Sequence, residues 1–162
     1  MRRRVAAVAC ALAVTVAGPA AAGGDGSFQQ AQSNYLLACG GCHGLDGESN
    51  AKVVPQLKGL VGYYLRTPEG RAYLPRLPNI AFAALGDREL AAVLNYIVFD
   101  LGGAGAPIGA KPYTAAEVAR WRAQPLTEVS LSTYRRGLAA MLIERYGAPP
   151  ALRAYDEAHD ER

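Results

Sequence analysis

The sequence predicts an all-α chain with one main domain and a helical C-terminal extension, on three observations. Residues 27–38 are free of Gly and Pro. Residues 87–100 set Leu90, Val93, Leu94, Ile97 and Val98 at three- and four-residue spacing, the apolar stripe of a surface helix. Alternating patterns that would support strands are scarce throughout. At 162 residues the chain is long enough for one core with length to spare, and short for two full-sized domains.

The elements follow in order. In residues 27–38, Phe28, Gln32, Tyr35 and Leu36 share a helical face, and this first helix delivers the chain to Cys39. Residues 44–62, with their glycines and Pro55, have loop composition. Short helices are expected over 60–66 and, opened by Pro68, over 68–74. Pro75 and Pro78 then predict an extended stretch over 74–79. After the helix at 87–100, Gly102, Gly103 and Gly105 stop the pattern, and residues 104–112 read as a Gly/Pro-rich linker. In the extension, 113–162, Thr114 and Glu117 form a capping box for a helix through Ala123. A second helix over 131–146 ends at Gly147, and the charged tail from Ala151 is expected to fray.

The N-terminus reads as a secretory signal over residues 1–22: Arg2, Arg3 and Arg4, an apolar run from Val5 to Ala17, then Ala20, Ala21 and Ala22. A membrane anchor is the rival reading, but the run is short for a span. The three arginines account for the whole net charge of +3, so the mature chain is near neutral. That balance gives no reason to expect nucleic acid or an acidic membrane as partner. Cleavage would also remove Cys10, leaving Cys39 and Cys42, in a mature chain without a membrane span.

Cys39-Gly40-Gly41-Cys42-His43 is the motif that carries chemistry. Two thiols three positions apart can form thioethers to the two vinyl groups of a haem, and the adjacent imidazole is then placed to bind the iron. The pattern thus predicts one covalent haem c with His43 as proximal ligand. A thioredoxin-type dithiol is the main alternative, though it expects a strand before and a helix after, whereas Gly44, Asp46 and Gly47 follow here. A zinc site would want four good ligands, and beyond the motif only His159 remains among the mature Cys and His residues.

The surroundings of the motif resemble the class I cytochrome c family over residues 27–103. Tyr35 precedes Cys39 by four residues; Gly44, Asp46, Gly47, Pro55, Leu57 and Gly59 follow as in the family's loop; and residues 86–97 are similar to its C-terminal helix, with Tyr96 at an aromatic position. The resemblance implies a cytochrome c-like helical fold whose first and last helices cross beside the haem, with Tyr35 and Tyr96 near the crossing. It implies that the Pro55 carbonyl accepts a hydrogen bond from the second nitrogen of His43. It also places Arg66, Arg71 and Arg76 where donors to the haem propionates are found, Arg71 foremost.

The second axial position departs from the family. Leu77, before Pro78, stands where the family's electron carriers usually hold a methionine, and leucine has no donor atom. The site is then open, water-filled or served from elsewhere. Tyr63, Tyr64 and Tyr73 lie in the segment that lines such pockets, and Met141 and His159 would have to come from the extension, where a core methionine and a solvated histidine are the blander readings. The expected function is one-electron transfer in the periplasm, between redox donor and acceptor proteins. The alternatives are a haem protein that binds a small ligand at an open iron, and the cytochrome subunit of a periplasmic dehydrogenase with 113–162 as docking element. The core segment offers no histidine as a distal acid or base, which argues against a dedicated catalyst.

Overall fold

The computed structural model describes residues 25–127 and 130–160; the expected signal segment lies outside them. The fold is all-α, and among the described residues there is no strand. None of the described helices is long and apolar enough to cross a membrane.

Helix α1 (Asp25–Ala38) leads into the single turn α2 (Gly40–His43). After the loop, a 3₁₀ helix (Val61–Arg66) precedes α3 (Pro68–Arg76) and the single turn α4 (Pro78–Ala81). Helix α5 (Asp87–Asn95) continues as a π-helical segment (Tyr96–Leu101), then a 3₁₀ turn (Gly103–Gly105). The C-terminal part holds α6 (Ala115–Arg122), α7 (Leu131–Tyr146), a 3₁₀ turn (Pro150–Arg153) and α8 (Ala154–Asp160).

The apolar stripe of α5 and its π-helical continuation buries Leu90, Val93, Leu94, Ile97 and Val98 in the core. Helix α1 packs across it, and the crossing is aromatic: Tyr35 and Tyr96 lie 5.4 Å apart between ring centroids, and Phe28 meets Tyr96 edge-on at 5.6 Å. Such tilted and edge contacts suit the ring quadrupoles. One cluster extends from this crossing to Val118, Leu138 and Leu142 of α6 and α7.

Three expectations are corrected. Residues 74–76 are helical rather than extended, because the carbonyl that Pro75 leaves without its intrahelical donor, that of Arg71, accepts the Tyr113 hydroxyl at 2.7 Å instead. Only Leu77 (φ −57°, ψ 131°) interrupts the helical run, as the residue before Pro78. The helix over 87–100 is α-helical only to Asn95 and widens to π geometry beyond it, a local shift that apolar periodicity does not reveal. The tail from Ala151 is ordered through α8, since Asp156 is buried in an ion pair with Arg135. The glycine-rich run after α5 is closely packed: a Cβ on Gly62 would stand 2.5 Å from the Ala106 nitrogen and 3.0 Å from the Gly105 carbonyl carbon.

Candidate functional site

Helix α1 ends against the motif. The Cys39 N–H donates to the Tyr35 carbonyl at 2.8 Å, and the His43 N–H to the Cys39 carbonyl at 3.0 Å, so the turn that carries the motif grows directly out of α1. The fully buried Tyr35 donates its hydroxyl to the Gly44 carbonyl at 2.7 Å. Burial, with Cys39 beside it, pushes the Tyr35 phenol up to about 12, so it stays a protonated donor. Gly44 (φ 77°) turns the chain away, and a Cβ there would collide with the Glu48 carbonyl.

Cys39 is half-buried, Cys42 is exposed, and neither is joined in a disulfide. Burial, and then the neighbouring Cys42, pushes the Cys39 thiol up. His43 is half-buried and its Nδ1–H donates to the Pro55 carbonyl at 3.0 Å. Burial pulls the imidazole down against the opposing pull of that bond, favouring the neutral ring. With Nδ1 engaged, Nε2 is the nitrogen available to a metal. On either side of the motif Leu37 and Leu45 are 87% and 76% exposed, apolar surface of the kind a porphyrin would cover. A haem fits this donor set: two cysteines outside any disulfide, a neutral imidazole with Nε2 unengaged, and adjoining apolar side chains.

The other predicted residues are dispersed. Arg71 donates Nε and Nη2 to the two carboxylate oxygens of Glu117 at 2.6 and 2.7 Å, and Nη1 and Nη2 to the Lys111 and Pro112 carbonyls at 2.7 and 3.1 Å. Its guanidinium is therefore engaged by the C-terminal segment. Arg66 donates to the Gly105 carbonyl at 3.0 Å and Arg76 to that of Gln124 at 2.8 Å. Tyr73 is buried in a stack, 5.3 Å from Tyr64 and 5.8 Å from Tyr134. Leu77 and Met141 are half-buried against the core. The His159 Nδ1–H donates to the Tyr155 carbonyl at 2.7 Å and its ring lies on that of Tyr155.

Sequence reasoning missed Tyr113 and Arg122. The Tyr113 backbone is held by both ends of the Asn95 side-chain amide, at 2.7 and 3.0 Å, while its hydroxyl reaches Arg71. Arg122, on α6, donates to the carbonyls of Ala81, Ala83 and Leu85 at 2.9, 2.7 and 2.8 Å and to the Asp87 carboxylate at 3.2 Å. The only sequence signal for either was the capping box, which fixes where α6 begins: the Thr114 hydroxyl accepts the Glu117 N–H at 3.2 Å.

Two curated proteins, both from Thermus thermophilus and both called cytochrome c-552, are similar to the chain. One is 33% identical over 134 residues, which cover 72% of this chain and 90% of that protein. The other is 34% identical over 118 residues, 62% of this chain and 90% of its own. No family model and no solved structure matches the chain.

Proposed function

Because the chain belongs to the class I c-type cytochromes, proteins of electron transfer, we propose that it is an exported monohaem carrier working in the periplasm, with its haem bound covalently through Cys39 and Cys42. His43 is the proximal ligand through Nε2, and the observation that carries this reading is the 3.0 Å bond from its Nδ1–H to the Pro55 carbonyl. That bond fixes the tautomer, orients the ring and raises the basicity of the coordinating nitrogen. The bound haem supplies the reversible one-electron couple. The chain's own residues would attach it through Cys39 and Cys42 and aim the His43 imidazole through the Pro55 carbonyl. The partners are redox donor and acceptor proteins, a dehydrogenase among the candidates.

A second reading, small-ligand binding at an open iron, is favoured by Leu77, which has no atom to offer the metal. Met141 packs half-buried against the core, Tyr73 lies in an aromatic stack and His159 on Tyr155, and each would have to leave these contacts to coordinate.

The test is expression with haem-attachment machinery, followed by denaturing electrophoresis with haem staining and by reversible redox titration. Wild type should keep its haem through denaturation and titrate as one one-electron couple. Cys39→Ala/Cys42→Ala should lose the stain. A stain that persists in the double variant would overturn the attachment.

A further inference from the structure

We propose that Lys58 is a positioning residue for the proximal ligand: its ammonium braces the neck of the loop 47–58, and through that neck it fixes the bond between the Pro55 carbonyl and His43 that tunes the iron. The inference rests on the haem attachment and the His43 ligation proposed above.

The ligand's bond and the neck close one small ring. From His43 the chain runs through Gly44 to Gly47, whose carbonyl accepts the N–H groups of both Leu57 and Lys58 at 3.0 Å. Just before Leu57 and Gln56 stands Pro55, whose carbonyl accepts the His43 Nδ1–H at 3.0 Å. Loosening one contact of such a ring loosens the other. Pro55 has no N–H, so apart from the His43 bond its main chain is placed by what its neighbours bind. On one side, the Val53 and Val54 N–H groups donate to the Asn50 carbonyl at 2.8 and 3.1 Å. On the other side is the neck, drawn so close that a Cβ on Gly47 would stand 3.1 Å from the Lys58 nitrogen.

Lys58 grips the same stretch, 46–48, with its side chain as well as its main chain. Its Nζ donates to Asp46 Oδ2 at 2.8 Å and to Glu48 Oε1 at 2.7 Å, the residues on either side of Gly47. The Glu48 N–H donates in turn to Asp46 Oδ1 at 3.3 Å, so one carboxylate serves both sides of the brace. A single exposed ion pair adds little, but one ammonium shared by two carboxylates and backed by main-chain bonds is a network. These bonds, that to Asp46 first, hold Lys58 above the ordinary lysine range, so it stays charged. Lys52, in the same loop, is exposed, and among the described residues its ammonium pairs with no carboxylate. The bond being braced matters to the iron because a carbonyl that accepts from Nδ1–H makes Nε2 a stronger donor, which favours the ferric state and lowers the reduction potential.

The experiment uses the purified holoprotein and its Lys58→Gln, Lys58→Arg and Lys52→Gln variants at about 0.15 M ionic strength, where exposed charges are largely screened. Two quantities are read: the reduction potential by redox titration, and solvent exchange of the His43 Nδ1 proton by nuclear magnetic resonance in the ferrous protein. The two possible effects of Lys58→Gln differ in sign. A lost cation felt only as charge leaves two carboxylates uncompensated and lowers the potential. A slackened bond from His43 to Pro55 raises it and speeds the exchange by about two- to fivefold, the factor that an exposed charge network can supply. Lys58→Gln should therefore raise the potential and speed the exchange. Lys58→Arg, which keeps the brace, should restore both values. Lys52→Gln deletes the same charge from the same loop and should leave the exchange at the wild-type rate, with the potential at or below that of wild type. An exchange rate unchanged in Lys58→Gln would reduce Lys58 to a surface charge and overturn the inference, whether the melting temperature falls or not; covalent haem in the same samples would leave the attachment reading intact. Protein purified without covalent haem would overturn both.

Discussion

Replacing Asp156 by Asn should destabilise the protein by about 3–5 kcal/mol, because it removes one charge of a buried pair and leaves the other without compensation. The Arg135 and Asp156 side chains are 8% and 2% exposed, and Arg135 Nη1 donates directly to Asp156 Oδ2. Arg135 also donates to the Leu152 carbonyl at 2.9 Å and lies 5.3 Å from the Tyr155 ring, contacts that orient the guanidinium without neutralising it. Asn keeps the shape of Asp and deletes only the charge. For a chain of this size, about 2–4 °C per kcal/mol turns the loss into a fall of about 6–20 °C in melting temperature. The assay is thermal unfolding of the holoprotein followed by far-ultraviolet circular dichroism at pH 7. The double variant Arg135→Met/Asp156→Leu removes both charges and should recover most of the loss, since apolar replacements of a buried pair are often neutral or stabilising. An Asn variant within about 2 °C of wild type, a shift of roughly 1 kcal/mol or less, would refute the reasoning. So would a double variant no more stable than the single one.

Further outcomes follow from the contacts of the C-terminal segment. Glu117 is held below the usual carboxylate range by its hydrogen bonds to Arg71. Just below the unfolded pKa of about 4.3 the unfolded chain therefore binds a proton that the native one refuses. The Glu117 contribution is complete above about pH 5 and is lost as the pH falls through the folded value, so between about pH 5 and 3 wild type should lose stability more steeply than Glu117→Gln in urea titrations. Tyr113→Phe leaves the Arg71 carbonyl, already orphaned by Pro75, without a donor and should cost about 1–3 kcal/mol by chemical denaturation. Gly62→Ala forces a methyl against Ala106 and Gly105 and should cost about 1–3 kcal/mol by the same measurement, whereas an unaltered midpoint would mean that the glycine-rich run is not docked.

What is legible in the sequence is local. The thiols and imidazole of the motif are neighbours in the chain, and the stripe of α5 and the cap of α6 are set by spacings of three and four residues. What is illegible depends on partners far along the chain. Pro75 reads as a helix breaker because the hydroxyl that satisfies the Arg71 carbonyl lies 42 residues beyond that carbonyl. The charged tail reads as solvated because the partner of Asp156 lies 21 residues back, inside a helix whose basic residues give no sign of which one points inward. Position gives no sign that Arg71 is engaged by Glu117, 46 residues on. A guanidinium converging on main-chain carbonyls, as at Arg122, leaves no mark in composition or periodicity, since any residue type can supply the acceptors.

The bond from Tyr113 to the Arg71 carbonyl also bears on the order in which the molecule is made. In the exported chain proposed above, Cys39 to His43 leave the translocation channel well before Tyr113 does, so at that moment α3 still has a bare carbonyl at Pro75 and the segment beyond it has no Arg122. The thiols are then presented on a polypeptide whose helical packing is still unfinished. Arrival of the last third of the chain supplies the donors those carbonyls lack, and the C-terminus acts in time as well as in space.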